Sequence, residues 1–148
     1  LGGPQAGIIA GDADLVASCA RHPLARALRP GSLVLGALQA TALAYLRNDG
    51  QAIPFWRMAS TPVEQLRSRA AALGIGDVVD VTSTPGGGTL PGVEMPSVGV
   101  AINGDHRAVL RERERPLIGR IIDSRTVLDM RTIHPGDDSE VAEALAGL

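Results

Sequence analysis

The sequence contains no lysine: all 14 of its basic side chains are arginine. Chemistry that needs a lysine amine, Schiff-base formation above all, therefore has no side chain here to use. One cysteine, Cys19, excludes an internal disulfide and suits a reducing compartment. Aromatic residues are nearly absent, with Tyr45, Phe55 and Trp56 the only three, so any core is built from Leu, Val, Ile and Ala. No apolar run is long enough to span a bilayer, which gives the expectation of no membrane contact. No charged-then-apolar leader opens the chain. Net charge is −2, so the chain as a whole carries no basic footprint for nucleic acid.

Several catalytic motifs are absent as well. The run Gly86-Gly87-Gly88-Thr89 lacks the Lys-Ser/Thr ending of a nucleotide P-loop and reads as a tight connection. His22, His106 and His134 are far apart, each at a turn or helix start, with no metal-ligand spacing among them and Cys19. They read as surface or capping histidines. No Gly-x-Ser-x-Gly nucleophile elbow occurs.

What is present is organised around Pro116 to Ile133. Two β-prone runs flank Asp123-Ser124, which predicts a hairpin. Alternation puts Ile118, Arg120 and Ile122 on one face, and Leu117, Gly119 and Ile121 on the other. A guanidinium between two isoleucines must be paired or open onto a cleft. Arg120 is then either bridged to Asp129 or Asp123, or an anion clamp whose planar fork fits a carboxylate. Gly119 beside it admits a close neighbour.

Upstream, residues 6–10 read as a short buried strand, and Asp12 caps a helix over 13–20 that His22-Pro23 ends. Arg26 and Arg29 follow three apart in a short turn between Pro23 and Pro30, which points them the same way. A long helix over 33–47 carries Leu35, Leu38, Ala42 and Leu46 in one stripe and stops at Asn48-Asp49-Gly50. Residues 51–59 read as a connector. Thr61, Pro62 and Glu64 form a capping-box start for a helix to Leu73. Strands over 78–83 and 97–102 flank a Gly/Pro-rich loop, Asp105 caps a polar helix over 106–114, and Asp137 with Glu140 starts a last helix. Arg111 to Arg115 read as a solvated helix end. Two regions result: residues 1–56, helical after one strand, and residues 57–148. The fold class is α/β, with the second region an α+β two-layer sandwich.

The runs LGGPQAGIIAG, HPLARALR, PGGGTLPGVEMPS and PLIGRI with LDMRTI, in that order, closely resemble the bacterial selenocysteine synthase family, the L-seryl-tRNA(Sec) selenium transferases. In that family a Ser-Gly-Asp-Lys segment directly precedes the run that starts here at Leu1, and its Lys holds pyridoxal 5′-phosphate. The resemblance implies a C-terminal part of such an enzyme: 1–56 as the end of the large fold type I cofactor domain, 57–148 as the C-terminal small domain. It implies conversion of seryl-tRNA(Sec) to selenocysteinyl-tRNA(Sec) with selenophosphate, in a cytoplasmic, dimer-based homo-oligomer whose tRNA-binding N-terminal domain lies outside these residues. Arg26 and Arg29 match family positions that hold the anionic selenium donor. Arg120 matches an arginine that related enzymes use for a substrate carboxylate. Gly2, Gly3 and Gln5 would shape the cofactor's surroundings. Where the family has Val-Asp-Lys after this arginine pair, the chain has Pro30-Gly31-Ser32. The alternatives are a paralogous lyase acting on an amino sugar acid phosphate, and a non-catalytic assembly domain. The sequence preceding Leu1 would separate them.

Overall fold

A computed structural model describes residues 2–86 and 92–148. The Gly86–Gly88 motif falls largely outside them. The chain divides into two compact units, Leu1–Arg57 and Met58–Leu148.

In the first unit, α1 spans Ala13–Arg21, and the Asp12 carboxylate accepts from the amides of Asp14 and Leu15 at 3.0 and 3.1 Å. Two orphan N–H groups of the first turn are thereby satisfied. His22 ends α1 and starts α2, Pro23–Ala27, its Nδ1 accepting from the Leu24 amide at 3.2 Å. Proline at the first position of α2 has no amide to leave unpaired. α3 spans Ser32–Leu46 and closes at Asn48, whose φ of 54° is the left-handed turn that Asn tolerates.

Two expectations fail in this unit. Residues 6–10 form no strand among the described residues, and Ile8 and Ile9 are 79% and 69% exposed. Their β-branched side chains favour an extended backbone, but a strand needs a neighbour to bond with, and none of the described residues supplies one. The connector over 51–59 is in fact ordered: a 3₁₀ turn, Gly50–Ala52, leads into α4, Pro54–Ala59. Asp49 caps that turn through the Ala52 amide at 3.2 Å. The capping aspartate and the proline at a helix start were both visible in the sequence.

The second unit follows the expected order. α5 (Val63–Ala72), β1 (Asp77–Ser83), β2 (Met95–Asn103), α6 (Arg107–Arg111), β3 (Arg120–Ile122), β4 (Arg125–Asp129) and α7 (Asp138–Ala146) build one layer of helix on one sheet. The four strands are antiparallel in the order β1-β2-β4-β3. The hairpin turns at Asp123 and Ser124 with φ of 48° and 62°, the primed turn that matches strand twist.

Register then decides what each face carries. Val78, Val100 and Leu128 form one cross-strand row. That row's face packs on Leu66 and Ala70 of α5 and on Val141, Ala144 and Leu145 of α7, with Leu110 and Met130 closing the ends. Val79, Gly99 and Asp129 form the next row, on the opposite face. By the same parity Ser83, Ser97, Arg120 and Ile122 share that second face.

Three local expectations differ from what forms. α5 starts at Val63 with Pro62 as its N-cap and no side-chain cap hydrogen bond. α6 stops at Arg111, because Glu112 to Arg115 bend away instead of solvating a continued helix. At α7, Asp137 and Glu140 both accept from Arg115, so they form an ion-pair cluster in place of a reciprocal cap.

Candidate functional site

Two polar constellations stand out, one in each unit. In the first unit, Arg26 lies in the last turn of α2 and Arg29 two residues beyond that helix. The Arg29 amide reaches the Arg26 carbonyl at 3.5 Å, so the chain still follows a helical turn between them. Both side chains are exposed, and neither has an ion pair or hydrogen bond with a described residue. No Asp or Glu occurs between Asp14 and Asp49. Asp12 and Asp49 are themselves committed to capping.

Arg29 also borders a cavity of about 960 Å³, together with Gln5 and His22 at polar positions and Ile9, Val16 and Leu28 among its apolar walls. The structure thus brings Gln5 and Arg29 to one cavity. Gly2 and Gly3 sit elsewhere. Gly2 has φ 78°, and a Cβ there would collide with the Ile53 side chain. A Cβ on Gly3 would stand 3.1 Å from Thr41 Oγ1. These glycines let the opening segment lie close against α3 and the turn before α4.

The second constellation centres on Asp129, whose side chain is 11% exposed. Its carboxylate accepts from Ser83 Oγ, from Ser97 Oγ at 2.6 Å and from the Arg131 amide at 3.1 Å. Arg120 approaches it at 3.8 Å and donates to the Thr82 carbonyl at 2.7 Å. The bridge to Asp129 is thus realised. The guanidinium is nevertheless 43% exposed and borders an open groove with Asp80, Val81, Thr82 and Ile122. Gly119 is buried, and its close neighbours are the Thr126 and Leu128 side chains.

Arg131 completes the cluster. It is 6% exposed, and its guanidinium has no carboxylate partner among the described residues. Nη1 donates to the carbonyls of Met58, Ala59 and Thr61 at 2.9 to 3.1 Å, and Nη2 to Pro96 at 2.6 Å. The Met58 and Ala59 carbonyls end α4, where a cation is favoured by the helix dipole. Sequence reasoning missed this residue. Its signal was the spacing of Asp129 and Arg131, which puts two charges on one side of an apolar run.

Among the described residues no group of His, Cys, Asp or Glu could hold a metal ion. His22 and His134 each accept a backbone amide through Nδ1, and His106 Nε2 lies 2.8 Å from the Asn103 carbonyl. The first two are local capping roles. No helix among the described residues is long and apolar enough to cross a membrane.

The matches to known proteins follow the same residues. The family model described as L-seryl-tRNA selenium transferase covers residues 1–134. The L-seryl-tRNA(Sec) selenium transferase of Hyphomonas neptunium is 40% identical over 97% of the chain and 35% of its own length. That of Moorella thermoacetica is 41% identical over 98% of the chain and 35% of its own. That of Aquifex aeolicus is 35% identical over the whole chain and 36% of its own. The chain thus spans about a third of the length of the curated relatives it matches. Since the match runs through both constellations and both units, the chain belongs to the L-seryl-tRNA selenium transferase family.

Proposed function

We propose that this chain is the C-terminal portion of an enzyme that converts seryl-tRNA(Sec) to selenocysteinyl-tRNA(Sec) with selenophosphate. Residues 1–57 read as the end of its large cofactor domain and 58–148 as its small C-terminal domain. The observation that carries the reading is the Arg26/Arg29 pair. Two exposed guanidiniums about one helical turn apart repel each other unless an anion lies between them. No described residue of their own unit neutralises them. Arginine forks suit the oxygens of a phosphate-like dianion, and selenophosphate is one.

Pyridoxal 5′-phosphate, when bound, supplies an electron sink for loss of the seryl hydroxyl. The fit of this chain to that cofactor is partial. No lysine is present to hold it covalently, so its anchor must be a residue outside these 148. What the chain itself supplies is binding and orientation. Arg26 and Arg29 hold the selenium donor, and Gln5 faces the same cavity as Arg29. Gly2 and Gly3 keep the opening segment close to α3 and Ile53. Arg120, held loosely by Asp129, is the second anion clamp. Its fork fits a free carboxylate, whereas the seryl carboxyl, esterified to tRNA, carries no charge for it. The surrounding enzyme, on this reading, is a cytoplasmic homo-oligomer built from dimers. Its other partner is the tRNA, bound largely through a separate N-terminal domain.

The test is Arg26→Lys and Arg29→Lys, each made in the full-length enzyme. Charge is kept and the bidentate fork is removed. The expected result is a sharp fall in turnover at limiting selenophosphate, with cofactor and seryl-tRNA binding retained. Unchanged turnover in both variants rejects the anion-site role. A parallel Arg120→Lys variant with unchanged turnover assigns Arg120 to holding Asp129 alone.

A further inference from the structure

The chain holds its arginines in three ways. Arg69 grips Asp138 at 2.9 and 2.6 Å, and its side chain is 12% exposed. Arg21, Arg26 and Arg29 are exposed and have no ion pair or hydrogen bond with a described residue. Arg120 belongs to neither group. Its carboxylate, Asp129, stands 3.8 Å away, whereas no other ion pair among the described residues exceeds 3.3 Å. One N–H of Arg120 goes to the Thr82 carbonyl, and the rest have no hydrogen-bond partner among the described residues.

Asp129 accounts for the gap. A carboxylate offers about four lone-pair positions. Three are filled here: Oδ1 accepts from Ser97 Oγ and the Arg131 amide, and Oδ2 accepts from Ser83 Oγ. These donors also fix the carboxylate in place. Its charge therefore offsets that of Arg120 without occupying the fork. Asp80 borders the same groove but is paired with Arg67. The groove thus presents N–H donors with little net positive charge behind them.

We infer that Asp129 is a specificity-determining residue: it offsets the charge of Arg120, so that the groove takes the uncharged carbonyl of an aminoacyl ester and turns away the carboxylate of a free amino acid. This rests on the proposed reading in taking the seryl ester as the group that Arg120 meets. The fork alone fits a free carboxylate, and Asp129 changes that preference. Coulomb energy falls as 1/r, so a second carboxylate about 4 Å from the guanidinium and about twice as far from Asp129 loses about half its attraction to repulsion. A carbonyl oxygen carries no net charge and meets no such repulsion, while the unpartnered N–H groups remain for it. Repelling the wrong ligand is a general route to specificity. Arg26 and Arg29, with no carboxylate beside them, keep the full charge that a dianion needs.

The test sets L-serine and L-serine methyl ester, each in turn, against seryl-tRNA in the full-length enzyme. Asp129→Asn is expected to lower the inhibition constant of serine about tenfold and to move that of the ester less than about twofold. Asp129→Glu keeps the charge and is expected to keep the parent's preference. Equal shifts of both constants in Asp129→Asn, or no shift in either, overturn the inference. So does an Asp129→Glu enzyme that admits serine as readily as Asp129→Asn does, since Asp129 is then structural. A second measurement needs no variant. Sodium acetate is titrated into the parent 148-residue chain at low ionic strength, and NMR follows the Nε–Hε signals of Arg26, Arg29 and Arg120. Arg120 is expected to take acetate about tenfold more weakly than Arg26 or Arg29. Acetate held as tightly at Arg120 as at Arg29 overturns the inference. An enzyme with no turnover of seryl-tRNA rejects the proposed function, and the acetate shifts then decide the charge offset by themselves.

Discussion

The two units contain the same kinds of residue and use them in opposite ways. In Met58–Leu148, Leu66, Val98, Val100, Leu110 and Val141 are completely inaccessible to solvent. In Leu1–Arg57, Ile53 is the one buried residue among those described, while Leu28, Leu33 and Leu46 are 78%, 89% and 80% exposed. Charges divide the same way. Arg67, Arg69, Arg107, Arg115, Arg120 and Arg125 all have carboxylate partners, and all lie in the second unit. The difference teaches that a helix forms from local signals, whereas a core needs a second layer. α3 has a glycine start, an apolar middle and an Asn stop, and it forms. What it lacks is a sheet or helix layer within its own unit that covers its leucines. α5 has one, because β2 and β4 present Val98, Val100 and Leu128 to it.

The largest expected effect breaks the comparison at its centre. Leu128→Ala removes a fully packed side chain between both helices and should destabilise the second unit by about 2 to 5 kcal/mol. Leu33→Ala, at an 89% exposed position, should change stability by no more than about 0.5 kcal/mol. Urea unfolding followed by circular dichroism gives both values. A comparable loss at Leu33 would mean that the first unit has a packed core of its own.

Next in size is Arg131. Arg131→Met leaves four backbone carbonyls without their donor in a buried site. The expected cost is about 2 to 4 kcal/mol, with hydrogen exchange quickening at residues 58–61 and 96–97 before the sheet opens. Arg131→Lys keeps a donor but not the fork, and should recover part of the loss. Asp129→Asn should come below it, at about 1 to 3 kcal/mol. The amide can still accept from one serine but presents an N–H to the other. An Asp129→Asn protein as stable as the parent would show that the serines, not the charge, set the network.

Much of the second unit was legible because its elements announce themselves locally. Asp123-Ser124 between two β-prone runs gave the hairpin, and alternation placed Arg120 on the face away from Leu117 and Gly119. The register that brings Ser83, Ser97 and Asp129 together was not legible, because it depends on which residues of β1, β2 and β4 face each other across 46 positions of sequence. Arg131 escaped for the same reason: its acceptors are carbonyls, and every residue has one. At α7 the pattern of Asp137 and Glu140 suggested a reciprocal cap, but Arg115, 22 and 25 residues away, took both carboxylates. In the first unit, Arg26 and Arg29 were legible as a cationic couple without a local partner because nearby carboxylates are missing, and a missing residue type is plain in any sequence. The strand over 6–10 was misread because its propensity is local and its pairing is not.

The smallest expected effect concerns how the second unit holds its surface charges. The Arg107 guanidinium, helped by the Arg107 amide, holds the Asp105 carboxyl down at about 2, against an ordinary 3.8. Because the folded value is the lower one, the pairing favours the folded state above 3.8, and the benefit fades as pH falls from there towards 2. Both side chains are about half exposed, so solvent screens the pair and the change in stability should be small. The titration itself is the sharper reading. Carbon-detected NMR of the Asp105 carboxyl should show a midpoint near 2, moving up towards 3.8 in Arg107→Gln. Added salt should also raise it, since screening weakens the attraction between the exposed partners. A midpoint near 3.8 in the parent protein would mean that Arg107 spends its time in solvent, like Arg21, and the contrast between paired and unpaired arginines would then hold only for the more buried pairs, such as Arg69 with Asp138.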